Sequence, residues 1–139
     1  MAKIAVEEDF AASAAVVWSK LADFGGLSDW MPGVESCETE GEGVGALRKV
    51  ALGPVQVSER LEAFDDAGRS LSYSIVEGPM PVQNYLATIV VEERGADACH
   101  VDWTASFDLP DGLTEEQIAP GLQGAYGGAL KALKPLVEA

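Results

Sequence analysis

The length of 139 residues and the hydrophobic content of 47% fit one domain, residues 1–139, with a single core. The formal net charge of −14 predicts neither a nucleic acid nor an anionic membrane as a partner, because both attract cationic surfaces. No apolar run approaches the roughly 20 residues that a membrane helix needs, and the N-terminus lacks a signal-peptide pattern, so we expect a cytoplasmic protein without membrane insertion.

The few cysteines and the single histidine argue against a metal centre. Cys37 and Cys99 show no metal-ligand spacing, and in a reducing compartment both are expected to be free thiols. His100 alternates with Val101 and Trp103, which turns it outward, so we expect a solvated histidine without a catalytic role. We therefore predict no metal and no cofactor.

The N-terminal third predicts one strand and two short helices. Residues 3–8 alternate apolar and charged side chains, as a half-buried strand does. Ser13 is placed to cap a following helix, which the pair Gly25-Gly26 ends. A short turn or helix then leads to the segment 30–32 (WMP).

Six strands joined by short turns follow, which predicts an antiparallel meander. Their expected bounds are 34–39, 46–52, 55–64, 69–77, 82–93 and 99–109. The prolines at 79 and 81 predict a break or bulge between the strands 69–77 and 82–93, because proline removes a ladder donor.

The chain closes with a predicted helix that begins at a capping box formed by Thr114 and Gln117. Its apolar stripe contains Ile118, Leu122, Tyr126, Ala129, Leu130 and Leu133. Four glycines interrupt the helix, and each destabilises it by about 1 kcal/mol relative to alanine. They are Gly121, Gly124, Gly127 and Gly128. Close packing on the sheet and space for a ligand are both possible reasons for them.

The order of elements predicts an α+β fold in which a curved antiparallel sheet of about seven strands wraps around the long C-terminal helix. One sheet face must be buried, and only the last helix is long enough to cover it. A strongly curved sheet around one helix leaves a gap, so we expect an internal pocket.

Several motifs in this order resemble one superfamily. They are 14–24 with 30–32 (AAVVWSKLADF…WMP), 43–48 (GVGALR), 59–61 (ERL), 73–79 (YSIVEGP), 81–85 (PVQNY) and 101–103 (VDW). The chain resembles the SRPBCC or START-like superfamily, above all small bacterial members of its polyketide cyclase/dehydrase-like branch. The resemblance implies a helix-grip fold, and it makes Trp30 a candidate lid residue near the pocket mouth; a staple between the short helix and the sheet is the alternative.

Glu59 is a carboxylate on an otherwise apolar strand face, shared with Val57 and Leu61. A buried unpaired charge is unfavourable, so Glu59 should be paired, hydrogen-bonded or raised in pKa. Arg48 on the preceding strand is a natural cross-strand partner. The pair either orients or protonates a ligand inside the pocket, or forms a structural ion pair near its mouth. A strand bulge that turns Glu59 outward is the third alternative.

The remaining pocket candidates are inward-facing apolar or aromatic residues. They comprise Ile75, Tyr73, Tyr85, Ile89, Trp103 and Phe107 on the strands, Leu122 and Tyr126 on the helix, and Met80 in the proline-rich break. The tyrosine hydroxyls could hydrogen-bond a ligand or ordinary core partners. Asn84 should face away from Tyr85 unless the proline-rich break shifts the register.

The leading hypothesis is a monomer or weak homodimer that binds a small hydrophobic or aromatic molecule, polyketide-like or lipid-like, in an internal cavity. The alternative is a polyketide cyclase, aromatase or dehydratase with Glu59, Tyr73 and Arg48 as candidate catalytic groups. The chain contains no GxSxG or HExxH motif and no phosphate loop, so a catalytic triad is not expected. A third possibility is a protein partner bound through the acidic surface.

Overall fold

A computed structural model describes residues 2–79 and 82–138. The strands are β1 (Ala2–Phe10), β2 (Ser36–Glu40), β3 (Leu47–Leu52), β4 (Val55–Asp65), β5 (Ser70–Glu77), β6 (Gln83–Glu93) and β7 (Cys99–Asp108). The helices are α1 (Ala14–Leu21), a 3₁₀ turn (Leu27–Asp29) and α2 (Glu115–Val137). Within these described residues, neither α-helix combines enough length and hydropathy to span a bilayer.

The strands form one seven-stranded antiparallel sheet in the order β1-β7-β6-β5-β4-β3-β2, which confirms the predicted meander and fold class. The first strand returns to pair with the last one, from Ala2 opposite Phe107 to Phe10 opposite Cys99. This pairing explains why β1 is longer than residues 3–8. The second strand begins later than predicted, at Ser36.

The inner face of the sheet and one side of α2 make the core. Inward side chains of the central strands that are buried include Leu61, Leu71, Tyr73, Tyr85, Ala87, Ile89, Val91, Val101, Trp103, Ala105 and Phe107. The buried residues of α2 are Ala119, Tyr126, Ala129, Leu130, Leu133 and Val137. Because α1 packs against β6 and β7, it covers part of the inner face that α2 does not reach.

Both predicted helix starts are present. The side chain of Ser13 accepts a hydrogen bond from the backbone N–H of Val16, and Gln117 Oε1 accepts one from the backbone N–H of Thr114 at 2.8 Å. At the far end of α2, Lys134 Nζ donates to the carbonyl oxygen of Asp9 at 2.6 Å. The helix is therefore fixed to β1 by its last turns.

The register of β6 shifts between Gln83 and Leu86, close to the predicted break. Asn84 adopts a left-handed conformation there (φ 53°), is exposed and donates to Asp108 Oδ2 at 2.9 Å. It faces away from Tyr85, as the alternation predicted.

The glycines of α2 do not serve close packing. A Cβ at Gly121, Gly124, Gly127 or Gly128 would meet no atom within 4 Å. Gly121, Gly124 and Gly128 are exposed, and none of the four lines the cavity described below. Both explanations expected from the sequence are therefore wrong, because this stripe lies on the solvent side of the helix.

Replacing Gly124 or Gly128 by alanine should raise the free energy of unfolding by about 0.5–1 kcal/mol each, because alanine fits the space and restricts the unfolded chain. Urea denaturation measures the change. Gly53→Ala is the matched control: Gly53 sits at φ +67° in open space, so alanine there should destabilise. Equal effects at Gly53 and Gly128 would contradict this explanation.

His100 lies on the outer face, as predicted, but it is not freely solvated. Its side chain is 13% exposed and lies between carboxylates, with Nδ1 2.6 Å from Asp9 Oδ1 and Nε2 3.2 Å from Asp102 Oδ1 and 3.6 Å from Glu7 Oε2. The hydrogen bond with Asp9 is the main cause that raises the pKa of His100, and the same bond lowers the pKa of Asp9. The solvated histidine was a wrong expectation, because the alternation along β7 does not show that Glu7 and Asp9 of β1 lie beside His100.

His100→Asn should lower stability most in mildly acidic solution. The folded-state pKa is raised above 6.5, so the stabilisation by His100 is fully present below pH 6.5 and is lost as pH rises through the folded pKa. The contribution of Asp9 is present above its usual pKa of 3.8 and is lost as pH falls. The free energies of unfolding of wild type and variant should therefore differ most between pH 3.8 and pH 6.5. Urea unfolding at pH 5.5 and at pH 8.5 measures this difference. The other charged neighbours are Glu92, opposite His100, and Arg94, near Asp9.

Candidate functional site

A cavity of about 160 Å³ lies between the inner face of the sheet and α2. Most of the surface that lines it is apolar. The lining residues are Leu27, Met31, Arg48, Val50, Leu52, Val57, Glu59, Tyr73, Ile75, Trp103, Leu122, Ala125 and Tyr126. The gap expected from the curved sheet is therefore present at its β3–β5 side.

The structure brings many of the predicted site residues together around this cavity. These are Arg48, Val57, Glu59, Tyr73, Ile75, Trp103, Leu122 and Tyr126. The others are buried in the core away from it, namely Trp30, Leu61, Tyr85, Ile89 and Phe107. Met80 lies outside the described residues.

The core residues have packing partners of their own. The rings of Tyr85 and Phe107 stack at a centroid distance of 5.9 Å. Ile89 lies on β6, a strand that α1 covers. The ring of Trp30 lies 6.5 Å from that of Trp103, a contact that favours the staple over the lid. The alternation of a strand gives the face of a residue but not its distance along the sheet from the helix.

Five lining residues were not among the candidates. Val50 and Leu52 share a strand face with Arg48, so the same alternation could have identified them. Ala125 follows Leu122 by three positions, on the same side of the helix. Leu27 and Met31 belong to the 3₁₀ turn and its end, where no periodicity signals an inward position.

Arg48 and Glu59 face each other across β3 and β4 in direct register. Arg48 Nε donates to Glu59 Oε1 at 2.7 Å. The two side chains are 6% and 13% exposed, so the ion pair is buried at the cavity wall.

Arg48 has further partners that hold its orientation. Nη1 donates to the carbonyl oxygen of Phe24 at 3.0 Å. The guanidinium carbon lies 4.1 Å from the ring centre of Phe24 and 4.9 Å from that of Tyr73. Such contacts stabilise a desolvated cation.

Burial raises the pKa of the Glu59 carboxyl, and the adjacent Arg48 opposes this rise without cancelling it. The two effects are expected, since desolvation disfavours the charged carboxylate and a guanidinium favours it. Glu59 is thus a carboxyl whose proton affinity exceeds that of an exposed glutamate.

Three aromatic side chains form a directional hydrogen-bond chain at the cavity. Trp103 Nε1 donates to the hydroxyl of Tyr73 at 3.2 Å, and that hydroxyl donates to the hydroxyl of Tyr126 at 3.3 Å. The rings of Trp103 and Tyr126 stack at 4.1 Å. Burial raises the pKa of both tyrosines, so both hydroxyls remain protonated at neutral pH.

The site can bind and orient a molecule, and its proton-carrying groups are Glu59 and the tyrosines. Among the described residues, the one group of three or more carboxylate, thiol or imidazole side chains with metal-ligand spacing is Glu7, His100 and Asp102. That group lies on the outer face of the sheet, away from the cavity.

Comparisons with known proteins agree with the fold. Abscisic acid receptor PYL6 of Arabidopsis thaliana is 33% identical over 145 residues, covering 96% of this chain and 67% of the receptor. The protein XoxI from Bacillus cereus is 32% identical with a TM-score of 0.90, covering 99% of this chain and 96% of that one. Norcoclaurine synthase from Thalictrum flavum, solved with dopamine and hydroxybenzaldehyde, is 25% identical with a TM-score of 0.76, covering 99% and 88%.

A family model confirms the resemblance drawn from the motifs. It is described as polyketide cyclase / dehydrase and lipid transport, and it matches residues 1–138. The seven-stranded sheet closed by α2 is the helix-grip arrangement that this resemblance implied. The chain belongs to the polyketide cyclase/dehydrase and lipid transport family.

Proposed function

We propose that this protein binds a small, largely apolar organic molecule in the cavity beneath α2. The observation that carries the proposal is an apolar cavity with a single polar cluster, formed by Arg48, Glu59, Tyr73 and Tyr126. Ligand sites combine mostly apolar walls with a few placed polar groups in this way.

The named relatives support the proposal. One is a receptor for abscisic acid, and another is an enzyme solved with two aromatic molecules, dopamine and hydroxybenzaldehyde. Both are similar to this chain over nearly its whole length.

The first test is native mass spectrometry of freshly purified protein, followed by a thermal-shift screen of small aromatic compounds. A bound molecule or a concentration-dependent rise in Tm is expected, because a ligand that binds only the folded state stabilises it. Ile75→Phe should fill the cavity and abolish the shift. Val76→Phe is the matched control, since Val76 is 43% exposed and does not line the cavity. Loss of binding in both variants, or in neither, would contradict the assignment of the site.

The second candidate function is an aldol-type cyclase or a dehydratase, and the raised pKa of Glu59 favours it. A carboxylate in the cavity can remove an α-proton from a carbonyl compound, and a tyrosine hydroxyl can protonate the departing hydroxyl group. The measurement is turnover of a β-hydroxy ketone to the enone and water. Glu59→Gln should abolish that turnover; turnover at the wild-type rate would exclude Glu59 as the base.

A further inference from the structure

The cavity wall contains one positive and one negative group, and they neutralise each other. Among the described lining residues, Arg48 is the only basic side chain and Glu59 the only acidic one, and they form an ion pair at 2.7 Å. A ligand in this cavity therefore meets a neutral wall rather than an unpaired cation.

From this we infer that the cavity selects neutral, one-ring molecules that carry a hydrogen-bond acceptor, and that it discriminates against carboxylates of the same shape. The inference rests on the proposed binding function and specifies the ligand class for that site.

The size of the cavity sets the one-ring limit. Drug-sized ligands occupy pockets of about 300–1,000 Å³, whereas an apolar cavity of about 150 Å³ holds benzene. The cavity here is about 160 Å³, so it matches one aromatic ring with a small substituent.

The hydrogen bonds among Trp103, Tyr73 and Tyr126 are the reason why the ligand needs a hydrogen-bond acceptor. Tyr73 accepts from Trp103 and donates to Tyr126, so the hydroxyl proton of Tyr126 is free to point into the cavity. Arg48 uses Nε for Glu59 and Nη1 for Phe24, and Nη2 has no partner among the described residues. The polar end of the cavity thus presents donors to a carbonyl or ether oxygen.

Glu59 sets the discrimination against anions. A carboxylate ligand near Arg48 would also lie near Glu59, and two carboxylates that share one site repel each other. The ligand would in addition lose its hydration shell without gaining an uncompensated cation, which makes its burial unfavourable.

The test compares benzamide with benzoate, two molecules of nearly the same shape that differ in charge. Isothermal titration calorimetry at pH 7.5 should give a Kd for benzamide at least about tenfold below that for benzoate, a difference of about 1.4 kcal/mol. Toluene, which has the ring without an acceptor, should bind more weakly than benzamide.

Glu59→Gln should shift this preference toward benzoate by at least about tenfold, because it leaves Arg48 without its counter-ion while a glutamine oxygen can still accept from Nε. Glu62→Gln is the matched control: it is the same substitution on the same strand, outside the cavity lining. It should leave the benzamide-to-benzoate ratio at the wild-type value.

A second variant tests the same inference in case Glu59→Gln does not fold. Arg48→Met combined with Glu59→Leu replaces the ion pair by apolar side chains and should bind toluene better than benzamide. Two outcomes would overturn the inference and leave the proposed function intact. In the first, benzoate binds wild type as tightly as benzamide does. In the second, the ratio of the two Kd values is the same in Glu59→Gln as in wild type. Absence of binding by all three probes, together with no thermal shift from any aromatic compound, would overturn both.

Discussion

Replacing Arg48 by leucine is expected to lower the free energy of unfolding by about 3–5 kcal/mol, because it leaves Glu59 buried without its counter-ion. The variant also loses the hydrogen bond from Arg48 to the carbonyl oxygen of Phe24 and the contacts of the guanidinium with the rings of Phe24 and Tyr73. Urea denaturation followed by circular dichroism measures the loss.

The loss should depend on pH in a defined direction. Without Arg48, burial alone acts on Glu59, so its folded-state pKa rises further above the usual 4.5. A carboxyl with a raised folded pKa destabilises the protein increasingly as pH rises through that pKa, so the deficit should be larger at pH 8 than at pH 5. The double variant Arg48→Met with Glu59→Leu should recover most of the stability. A deficit that is equal at both pH values, or unrelieved in the double variant, would show that the buried charge is not the cause.

Trp103→Ala has the other large expected effect, a loss of about 3–5 kcal/mol with an enlarged cavity. Trp103 is 2% exposed, stacks on Tyr126 and donates to Tyr73. Removal of the indole adds its volume to the existing cavity. Naphthalene-sized molecules should therefore bind the variant and raise its Tm, and they should not change the Tm of wild type.

Phe10→Ala is the control for this variant. Phe10 is also 2% exposed, but it does not line the cavity. It should lose a similar amount of stability without gaining binding of two-ring molecules. If naphthalene raises the Tm of both variants, or of neither, the assignment of Trp103 to the cavity wall is contradicted.

Local pattern was sufficient to predict the polar centre of the site. Alternation along one strand placed Glu59 inward, and the short hairpin made Arg48 its cross-strand partner, which the register confirms. The same argument placed Tyr73, Ile75 and Trp103 on the inner face, because each element of a meander fixes the face of its neighbour.

The extent of the cavity could not be predicted in this way, because it depends on how the sheet curls around two helices. Ile89 and Tyr85 face inward and are buried like Tyr73, yet they do not line the cavity. Glu7 and Asp9, which lie beside His100, belong to β1, a strand distant in sequence from β7, so their approach is a tertiary effect.

The glycine stripe of α2 has a consequence for the time scale of ligand exchange. The roof of the cavity, Leu122 to Tyr126, lies in the part of the helix that follows Pro120 and contains three exposed glycines, whereas the last turns are held to β1 by Lys134. Glycine lowers the free energy needed to open a helix locally, so backbone amides at 121–128 should exchange with deuterium faster than those at 129–137. For the binding function proposed above, ligand entry and release would then proceed through local opening of this roof. Helix-stabilising substitutions would slow both rates and leave the equilibrium affinity nearly constant.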